Sequence, residues 1–410
     1  MERKIFLKVL EYYNVISLML ASWNIFFGEK KIITIYSLVM CVVFSIIAIN
    51  ERRNVIKLIF KNKLIIFILI WIGFTSIKSL NTNISLNTLI ILAITAIQTI
   101  LLSNLYSEKS FYCILAKYFV ISIIFSYVFI IIYPQMGFMI YEDKLLPVGV
   151  YSHKNVLARF MVIATIIFMN DMIKSKNYIK KIVCLVFQIL AVTLILLSQS
   201  ITCIIWIIIL VSANIMIVYK NRLFRVYIKI ITLYCIIFNI FVYFISDPKI
   251  SNIISNINIF GKNLSFTGRN SIWNYAITHI QNRFITGYGI DAFWSNSVIR
   301  QEFYCKYKFY PPHAHNGYLA LLLDGGIVLL VLFIIMLYKS IKNNIDNYDK
   351  YNLISILILS FILVVNLTES AFIGNDTYLI WIIICFKYSL TINTKKLLNN
   401  KEKNYNAFKY

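Results

Sequence analysis

The chain contains few residues that break regular backbone structure and few that titrate near neutral pH. Among its 410 residues there are 5 prolines, 12 glycines and 4 histidines. All the histidines and all the prolines fall in two polar segments, Pro134–Lys154 and Pro248–Asn316, while most of the remaining sequence consists of long apolar runs. Because these residue types supply turns and acid–base chemistry, we predict that the functional site lies in the two segments.

Charged residues are also scarce, and acidic ones especially so. They make up 14% of the chain against 60% hydrophobic residues, and the mean hydropathy is +0.76, so there is too little polar surface to cover a soluble globule. The chain has 17 acidic residues and 40 Lys and Arg, which gives a net charge of +23. In a soluble protein this charge would suggest nucleic-acid binding. Here the basic residues lie in short clusters between apolar runs, without a nucleic-acid motif. We therefore predict a membrane protein with no nucleic-acid partner.

Stretches of about 20 apolar residues recur along the chain and predict about twelve transmembrane spans. Many of these runs are rich in β-branched residues, but in lipid the backbone must satisfy its own hydrogen bonds, which favours helix. The predicted fold is an all-α polytopic membrane protein with a large outer-face loop that contains short amphipathic helices. We expect nine spans in 1–246, the loop in 247–316, three spans in 317–392 and a tail in 393–410. The spans centre near Leu18, Val42, Ile70, Thr95, Ser122, Thr165, Leu190, Leu210, Ile237, Leu329, Leu359 and Ile382.

Basic clusters between the spans predict the orientation of the chain in the membrane. With twelve spans, the clustered loops and the tail share one side, which the positive-inside rule identifies as the cytoplasm. Both termini are then cytoplasmic, both histidine-bearing segments lie outside, and the protein is a multi-pass membrane protein. The residues that support this orientation are Arg52, Arg53, Lys57, Lys61, Lys63, Lys174, Lys176, Lys180, Lys181, Lys220, Arg222, Arg225, Lys229, Lys395, Lys396, Lys401, Lys403 and Lys409.

Cysteine is sparse outside the apolar runs. Of the 7 cysteines only Cys305 lies in an outer loop, so no disulfide framework is available there. No Cys and His spacing resembles a zinc site. The sequence therefore predicts neither a metal nor a cofactor.

The large loop carries a segment with the features of an amphipathic helix. In TGRNSIWNYAITHIQNRFITGYGIDAFW, Thr267 or Asn270 is a candidate N-cap, an apolar stripe follows, and Gly287 with Gly289 predicts the end. Arg269 stands at the predicted helix N-terminus, where backbone N–H groups favour an anion. We therefore predict a phosphate-sized site at Arg269.

Basic residues outnumber acidic ones in this loop, although outer loops are normally poor in Lys and Arg. Long loops translocate largely regardless of charge, so the excess is compatible with a solvated surface. The alternative is an anionic substrate that is held by arginines such as Arg269 and Arg283, because guanidinium groups bind phosphate without metal.

The loop closes with YPPHAHNGYLALLLDGG, where His313 and His315 follow a stiff diproline. A single histidine at a membrane boundary is often only an interfacial residue. The pair, with Asn316 beside it, favours a functional site, and imidazole accepts a hydroxyl proton near neutral pH. His315 is the candidate general base, and His313 and Asn316 are candidate substrate-binding residues.

Three stretches carry a likeness to a known family. They are TGRNSIW followed by GYGIDAF, HAHNGYL with the following Gly325 and Gly326, and SHKNVLARF. In these stretches the chain resembles the O-antigen polymerase and ligase superfamily of integral-membrane glycosyltransferases. The resemblance implies a polyprenyl-pyrophosphate-linked oligosaccharide as donor, a sugar hydroxyl of another glycan as acceptor, and no nucleotide sugar. It also implies that Arg269 and Arg159 hold the pyrophosphate and that His315 assists the attacking hydroxyl.

One motif bears on the choice between the two activities of that superfamily. In the ligase-like pattern, His and Asn are followed after nine residues by Gly-x-x-Gly; here Gly326 is present but Leu329 occupies the second glycine position. This departure favours a polymerase of O-antigen, capsule or exopolysaccharide over a ligase that transfers glycan to lipid A core. A chain-length regulator and a flippase are candidate partners, beside the lipid bilayer.

The stretch VYSHKNVLARF opens the sixth predicted span. His153 and Lys154 lie at the membrane face as candidate substrate-binding residues, and Arg159 lies about one and a half helical turns further in. A guanidinium in lipid costs about 2.5 to 3.5 kcal/mol, so Arg159 either snorkels outward or reaches a pyrophosphate at the interface. Glu369 is a candidate partner of Arg159 or an acceptor-orienting carboxylate, with a helix-cap role as the alternative.

A transporter of lipid-linked glycan is the alternative from another functional class, because many spans alone would allow it. Transporters usually place charged or polar groups near the bilayer midplane, on broken helices. In this sequence the middles of the spans are nearly free of charge, and the polar residues gather at the outer face. The enzyme interpretation is therefore favoured.

Overall fold

A computed structural model describes residues 2–23, 55–141, 143–209, 221–246, 258–259, 262–263, 268–346, 352–373 and 378–407. These ranges are dominated by helices, with two short hairpins. The helices are α1 (Glu2–Ser22), α2 (Val55–Lys61), α3 (Lys63–Ile77), α4 (Thr82–Leu105), α5 (Glu108–Ile132), α6 (Pro134–Gly137), α7 (Lys154–Lys174), α8 (Tyr178–Leu197), a helical segment at 201–209, α9 (Asn221–Ile245), α10 (Arg269–Asn282), α11 (Ser297–Tyr307), α12 (Gly317–Asp346), α13 (Asn352–Val365) and α14 (Tyr378–Ala407). The strands are β1 (Phe138–Tyr141), β2 (Lys144–Pro147), β3 (Asn258–Ile259) and β4 (Lys262–Asn263).

Within the described ranges, 6 helices are long and apolar enough to cross a bilayer. They comprise α4, α5, α7, α8, most of α9 and the first 26 residues of α12, and shorter apolar helices lie at Lys63–Ile77, Ile354–Val365 and Tyr378–Asn393. The chain is therefore a helical multi-pass membrane protein. The predicted spans near Val42 and Leu210 lie outside the described residues, so a total of twelve stays a prediction.

Helix α7 occupies the centre of the bundle and positions the most deeply buried arginine. It packs against α5, α8 and α13, and 83% of its most apolar window is buried, against 22% for α8. A helix that is apolar all round belongs in such an interior position, whereas α8 presents a broad face to lipid. Arg159, in the second turn of α7, is consequently enclosed by protein.

The first polar segment folds as a hairpin that the sequence analysis did not predict. Strand β1 pairs antiparallel with β2, from Phe138 opposite Pro147 to Tyr141 opposite Lys144. Asp143 in the connecting turn has φ 59°, a left-handed conformation that aspartate tolerates better than most residues. The all-α prediction therefore needs two small hairpins added.

The large loop has a core of its own wherever it is described. Helices α10 and α11 enclose Trp273, Phe293 and Phe303, which are fully buried. Helix α10 ends at Asn282, before the predicted stop at Gly287 and Gly289. Its N-cap is Gly268, rather than Asn270; Thr267 lies outside the described residues. The described part of the loop thus contains two short helices around an aromatic core.

A kink in α12 fastens this loop to the bundle. Gly325 and Gly326 leave helical geometry, which frees backbone groups of α12 to form hydrogen bonds with the loop. Ile327 N donates to Phe284 O at 2.9 Å, and Tyr288 N donates to Leu323 O at 2.6 Å. Gly326 has φ 66°, and a Cβ there would lie 2.1 Å from Ile285 O. Only glycine satisfies both demands, so the second glycine of the DGG sequence is a structural requirement.

Candidate functional site

A buried carboxylate, Glu369, joins residues from separate parts of the chain. Its Oε1 accepts a hydrogen bond from Asn155 Nδ2 at 2.8 Å and lies 3.3 Å from Arg269 Nη2. Its Oε2 lies 3.9 Å from His313 Nε2 and 3.8 Å from His315 Nδ1. We call Glu369, Arg269, His313, His315 and Arg159 the Glu369 cluster. The cluster thus unites α7, the start of α10, the end of the large loop and the turn after α13.

The turn after α13 sets the position of the carboxylate. Asn366 Oδ1 accepts a hydrogen bond from Ala371 N at 2.7 Å, which closes the turn around Glu369. Gly317 N donates to Asn366 O at 2.8 Å, and a Cβ on Gly317 would lie 2.0 Å from Asn366 Oδ1. This close approach, which needs a glycine, holds the histidine segment against the turn.

The two histidines adopt a fixed arrangement. His315 has φ 49°, a left-handed backbone that is uncommon outside glycine, and its N–H donates to His313 Nδ1 at 3.2 Å. The ring centroids are 4.1 Å apart. His315 Nδ1 is buried and has no hydrogen-bond partner among the residues that the structure describes. At 3.8 Å from Glu369 it is too far for a hydrogen bond but close enough for electrostatic interaction.

Arg159 is a buried cation whose hydrogen-bonding capacity is not fully used in the described part of the chain. The residue is 4% exposed, and its Nε and Nη1 atoms have no hydrogen-bond partner in the described part of the chain. Its charge influences Glu369, His153 and His313, and on this ground Arg159 is counted with the cluster. Unpaired donors on a buried charge are costly, and a bound anion would satisfy them.

Arg269 combines a side-chain charge with a helix N-terminus. It is the first residue of α10, after Gly268 in the left-handed conformation, and this glycine offers no side chain to cap the helix. The N-cap side chain therefore does not engage the first N–H groups of α10, and the macrodipole adds to the positive potential at this end. The predicted phosphate-sized site at Arg269 thus adjoins Glu369 and the two histidines.

The remaining predicted residues take different positions. His153 caps α7, since its Nδ1 accepts from Asn155 N at 3.1 Å, and Lys154 Nζ lies 4.1 Å from the ring centroid of Tyr141 on the hairpin. Asn316 is fully buried as the cap of α12: its Oδ1 accepts from Tyr318 N at 2.9 Å and its Nδ2 donates to Leu367 O at 3.3 Å.

Arg283 is the predicted site residue that the structure does not bring to the cluster. It follows the last residue of α10, about 20 Å along the helix from Arg269. There its guanidinium packs over Tyr288, 4.8 Å from the ring centroid, and its Nη1 donates to Lys78 O at 3.4 Å.

Burial and electrostatic interaction together shift the pKa of three groups in or next to the cluster. Burial alone would raise the pKa of Glu369, but interaction with His315, His313 and Arg159 lowers it below its ordinary value. Burial lowers the pKa of His153, with Arg159 adding to the effect and Glu369 opposing it. Burial and the neighbouring His315 ring lower the pKa of His313. At neutral pH the carboxylate is therefore ionised, and His153 and His313 are neutral.

The same groups have the composition of a small cation site. Ligand atoms of His313, His315 and Glu369 lie within 4.8 Å of one another. Two imidazoles and a carboxylate suit a divalent transition metal. Arg269 already occupies one oxygen of the carboxylate and Arg159 adds a second positive charge, which disfavours a cation there.

One residue of the site was not predicted from the sequence. Asn155 makes the shortest contact to Glu369, although it was quoted only as part of SHKNVLARF. Its position directly after His153 and Lys154 was the available indication, but a polar residue in the first turn of a helix normally suggests capping.

Comparison with known proteins bears on the same residues. A family model described as O-antigen ligase matches residues 186–334, a region that contains Arg269, His313 and His315. Arg159 and Glu369 lie on either side of it. No curated protein gives a significant match. The resemblance to the O-antigen polymerase and ligase superfamily that was stated from the motifs is thereby confirmed over residues 186–334, where the chain is similar to this family model.

Proposed function

We propose that this protein is a membrane-embedded polysaccharide polymerase. It transfers glycan from a polyprenyl-pyrophosphate donor to a sugar hydroxyl of another lipid-linked repeat unit, at the outer face of the bacterial inner membrane. The family match supports polymerase or ligase chemistry at this level, and the Glu369 cluster supports the assignment of residues.

The observation that carries the proposal is the incomplete hydrogen bonding of the buried Arg159 side chain. A guanidinium that is 4% exposed, with two nitrogen atoms lacking described partners, requires an anion to complete its hydrogen bonds. The open N-terminus of α10 and Arg269 face the same cluster. A diphosphate has the charge and the number of acceptor oxygens to engage both arginines and the helix N–H groups.

The proposed reaction is a direct displacement at the anomeric carbon. The acceptor oxygen forms a bond to C1 of the donor sugar while the bond from C1 to the diphosphate oxygen breaks, which inverts the configuration. The hydroxyl proton passes to Nε2 of His315. The negative charge that grows on the leaving diphosphate is stabilised by Arg159 and Arg269.

Glu369 supports this chemistry without touching the reacting atoms. It lies 3.8 Å from Nδ1 of His315 and so favours the tautomer that carries its proton there, which leaves Nε2 as the acceptor. When His315 becomes an imidazolium, the ionised carboxylate stabilises it. Glu369 also fixes Arg269 and, through Asn155, the start of α7.

A ligase that transfers glycan to lipid A core is the second candidate. The description of the matched family favours it. The glycine spacing favours the polymerase, because position 329 holds a buried leucine rather than a glycine. A lipid-linked-glycan transporter is the less favoured alternative.

A reconstituted assay separates these functions. Purified protein in liposomes receives lipid-linked repeat unit alone, or together with lipid A core. Chain growth with repeat unit alone supports the polymerase, and transfer only when the core is present supports the ligase. Movement of unaltered lipid without new glycosidic bonds would replace both with transport. We expect full activity in EDTA, and a loss that Zn²⁺ or Mg²⁺ restores would overturn the metal-independent mechanism.

A further inference from the structure

Two exposed tyrosine rings lie stacked on the surface of the large loop. Tyr304 in α11 and Tyr310, which follows that helix, have ring centroids 4.6 Å apart and an interplanar angle of 11°. The residues are 37% and 46% exposed. Helix α11 buries Ile299 and Phe303, so Tyr304 lies on the face that is turned away from the loop core. The pair is therefore not part of the aromatic core that holds the loop together.

The end of α11 brings the two rings together. Lys308, with φ 65°, ends the helix, and its N–H donates to Tyr304 O at 2.8 Å. After this left-handed residue the chain turns back, and Phe309 packs on Phe303 with 5.1 Å between the ring centroids. The next residue, Tyr310, points to the outside and stacks on Tyr304. The arrangement of the pair is thus fixed by the way the helix ends.

Hydrogen-bonding groups flank the rings. Tyr310 Oη donates to Gln301 Oε1 at 3.2 Å, and the Arg300 guanidinium lies 5.1 Å from the Tyr310 ring centroid. Arg300 and Gln301 are exposed, so guanidinium and amide donors stay accessible beside the rings. A sugar presents a C–H face that stacks on an aromatic ring and hydroxyls that exchange hydrogen bonds with such groups. The surface therefore has the chemistry that an oligosaccharide requires.

The charges around the pair indicate that this surface faces water. Arg300, Glu302, Lys306 and Lys308 are all exposed along α11 or at its end. Tyrosines also collect at membrane interfaces, but charged groups are costly in hydrocarbon. The surroundings therefore favour a polar, extended partner over acyl chains.

The pair lies close to the Glu369 cluster on two counts. Tyr310 precedes His313 by three residues, so their Cα atoms are at most about 11 Å apart. Phe309, the neighbour of Tyr310, packs on Gly268 so closely that a Cβ there would lie 3.1 Å from Phe309 Cζ. Gly268 in turn directly precedes Arg269. A short oligosaccharide whose end sugar occupies the cluster can therefore reach the pair.

We propose that Tyr304 and Tyr310, with the flanking Gln301 and Arg300, form an oligosaccharide-binding surface, which we call the tyrosine platform. One sugar of the repeat unit stacks on the exposed aromatic face, and its hydroxyls bond with the amide and the guanidinium. The platform holds the glycan a few sugars away from the bond that forms, on the donor or on the acceptor. The inference rests on the proposed function for the identity of the glycan.

Binding of the repeat-unit oligosaccharide, released from its lipid by mild acid, tests the platform directly. In calorimetry on the full-length protein in detergent, Tyr304→Ala and Tyr310→Ala should each weaken the affinity by about 2- to 10-fold, the range for one aromatic contact. Tyr304→Phe keeps the ring and should bind as the wild type does. Tyr338→Ala is the matched control, because this tyrosine is 60% exposed on α12 and also lies beside a cation, Lys342. Wild-type affinity in both platform alanine variants would overturn the proposal.

Steady-state kinetics identifies whose glycan occupies the platform. Lipid-linked repeat unit and lipid-linked polymer are varied separately in the reconstituted assay. A raised KM for the repeat unit in Tyr304→Ala assigns the platform to the acceptor, and a raised KM for the polymer assigns it to the donor. Because the platform does not touch the reacting atoms, kcat should change less than KM. A fall in kcat with both KM values unchanged would contradict a binding role.

The failure of the platform and the failure of the proposed function are distinguishable. Oligosaccharide binding that depends on the tyrosines, in a protein that forms no glycosidic bonds, would overturn the reaction and keep the platform. Chain growth by the wild type, with oligosaccharide affinity unaltered in the alanine variants, would do the opposite.

Two controls address folding and the membrane. Undecaprenyl pyrophosphate carries no sugar and should bind Tyr304→Ala as it binds the wild type; if it does not, Gln301→Leu, which keeps both rings, takes the place of that variant. Bimane attached to Cys305, which is exposed beside Tyr304, should be quenched by iodide in water and not by brominated phospholipid. The reverse pattern would place this face in the bilayer and overturn the proposal.

Discussion

Two carboxylates in the described part of the chain, the partly buried Glu108 and the buried Glu369, contact cations but differ in how completely they are paired. Glu108, at the start of α5, lies 2.8 Å from Lys387 Nζ, accepts from Ser355 Oγ, and Ser355 in turn pairs with Tyr112 at 2.6 Å. Glu369 pairs with Arg269 and also feels the charge of Arg159, and Arg159 keeps two donors without described partners.

The contrast separates a structural ion pair from a binding site. In the Glu108 group one lysine balances the charge of one carboxylate, and these contacts tie α5, α13 and α14 together. In the Glu369 cluster positive charge and open donors remain, along with a strained His315 backbone. Local strain and unsatisfied groups of this kind persist where function requires them.

The largest effect is expected from the candidate general base. His315→Ala removes the group that accepts the hydroxyl proton, so transfer should slow by about 100- to 10,000-fold while donor binding remains. Single-turnover kinetics on reconstituted protein measures the step. His279→Gln is the control, since that ring packs against Tyr275 within α10 and should leave the rate unchanged. Loss of donor binding in His315→Ala would instead assign the residue a positional role.

Arg159→Met should separate activity from stability. Activity should fall by about 100- to 1,000-fold, as expected when one donor to the developing charge is removed. Stability should stay the same or rise, because a buried cation with unused donors is replaced by a neutral side chain of similar length. Turnover and thermal unfolding of the same preparation give both values. Lower stability with turnover unchanged would make Arg159 a structural residue like Lys387.

Lys387→Met should lower stability and leave activity unchanged, the reverse of Arg159→Met. It leaves Glu108 buried without its cation, which should destabilise the protein by about 3 to 5 kcal/mol while folded molecules keep their transfer rate. Denaturation in detergent measures the loss. The double variant Lys387→Met/Glu108→Gln should recover much of the stability; if it does not, the pair is not the cause.

The pH dependence of stability should reflect the Glu369 cluster. His153 and His313 have lowered pKa values, so the unfolded chain binds their protons first, near pH 6.5. Their contribution to stability is therefore present above pH 6.5 and is lost as pH falls towards the folded-state values. The thermal midpoint should drop between pH 7.5 and pH 5, and less so in His313→Asn. An equal drop in that variant would place the titrating group elsewhere.

The sequence predicted the parts of the structure that lipid or local chemistry imposes. Long apolar runs became helices because lipid leaves no other backbone solution, and Arg269 is at the start of a helix, as its segment indicated. The β1–β2 hairpin was not predicted because its strands are short and their apolar residues resemble the end of a transmembrane span. The kink in α12 was not predicted because two glycines inside an apolar run are compatible with a continuous helix. The contact of Asn155 with Glu369 joins residues 214 positions apart, which no local pattern encodes.

The central claim is that arginines from separate segments hold one diphosphate. The affinity of the purified protein for undecaprenyl pyrophosphate tests it most directly, with Arg159→Met compared with Arg283→Met. We predict that Arg159→Met weakens binding by about 10- to 100-fold, the value of one charge-assisted hydrogen bond, and that Arg283→Met changes it little. Wild-type affinity in Arg159→Met, or an equal loss in Arg283→Met, would contradict the account.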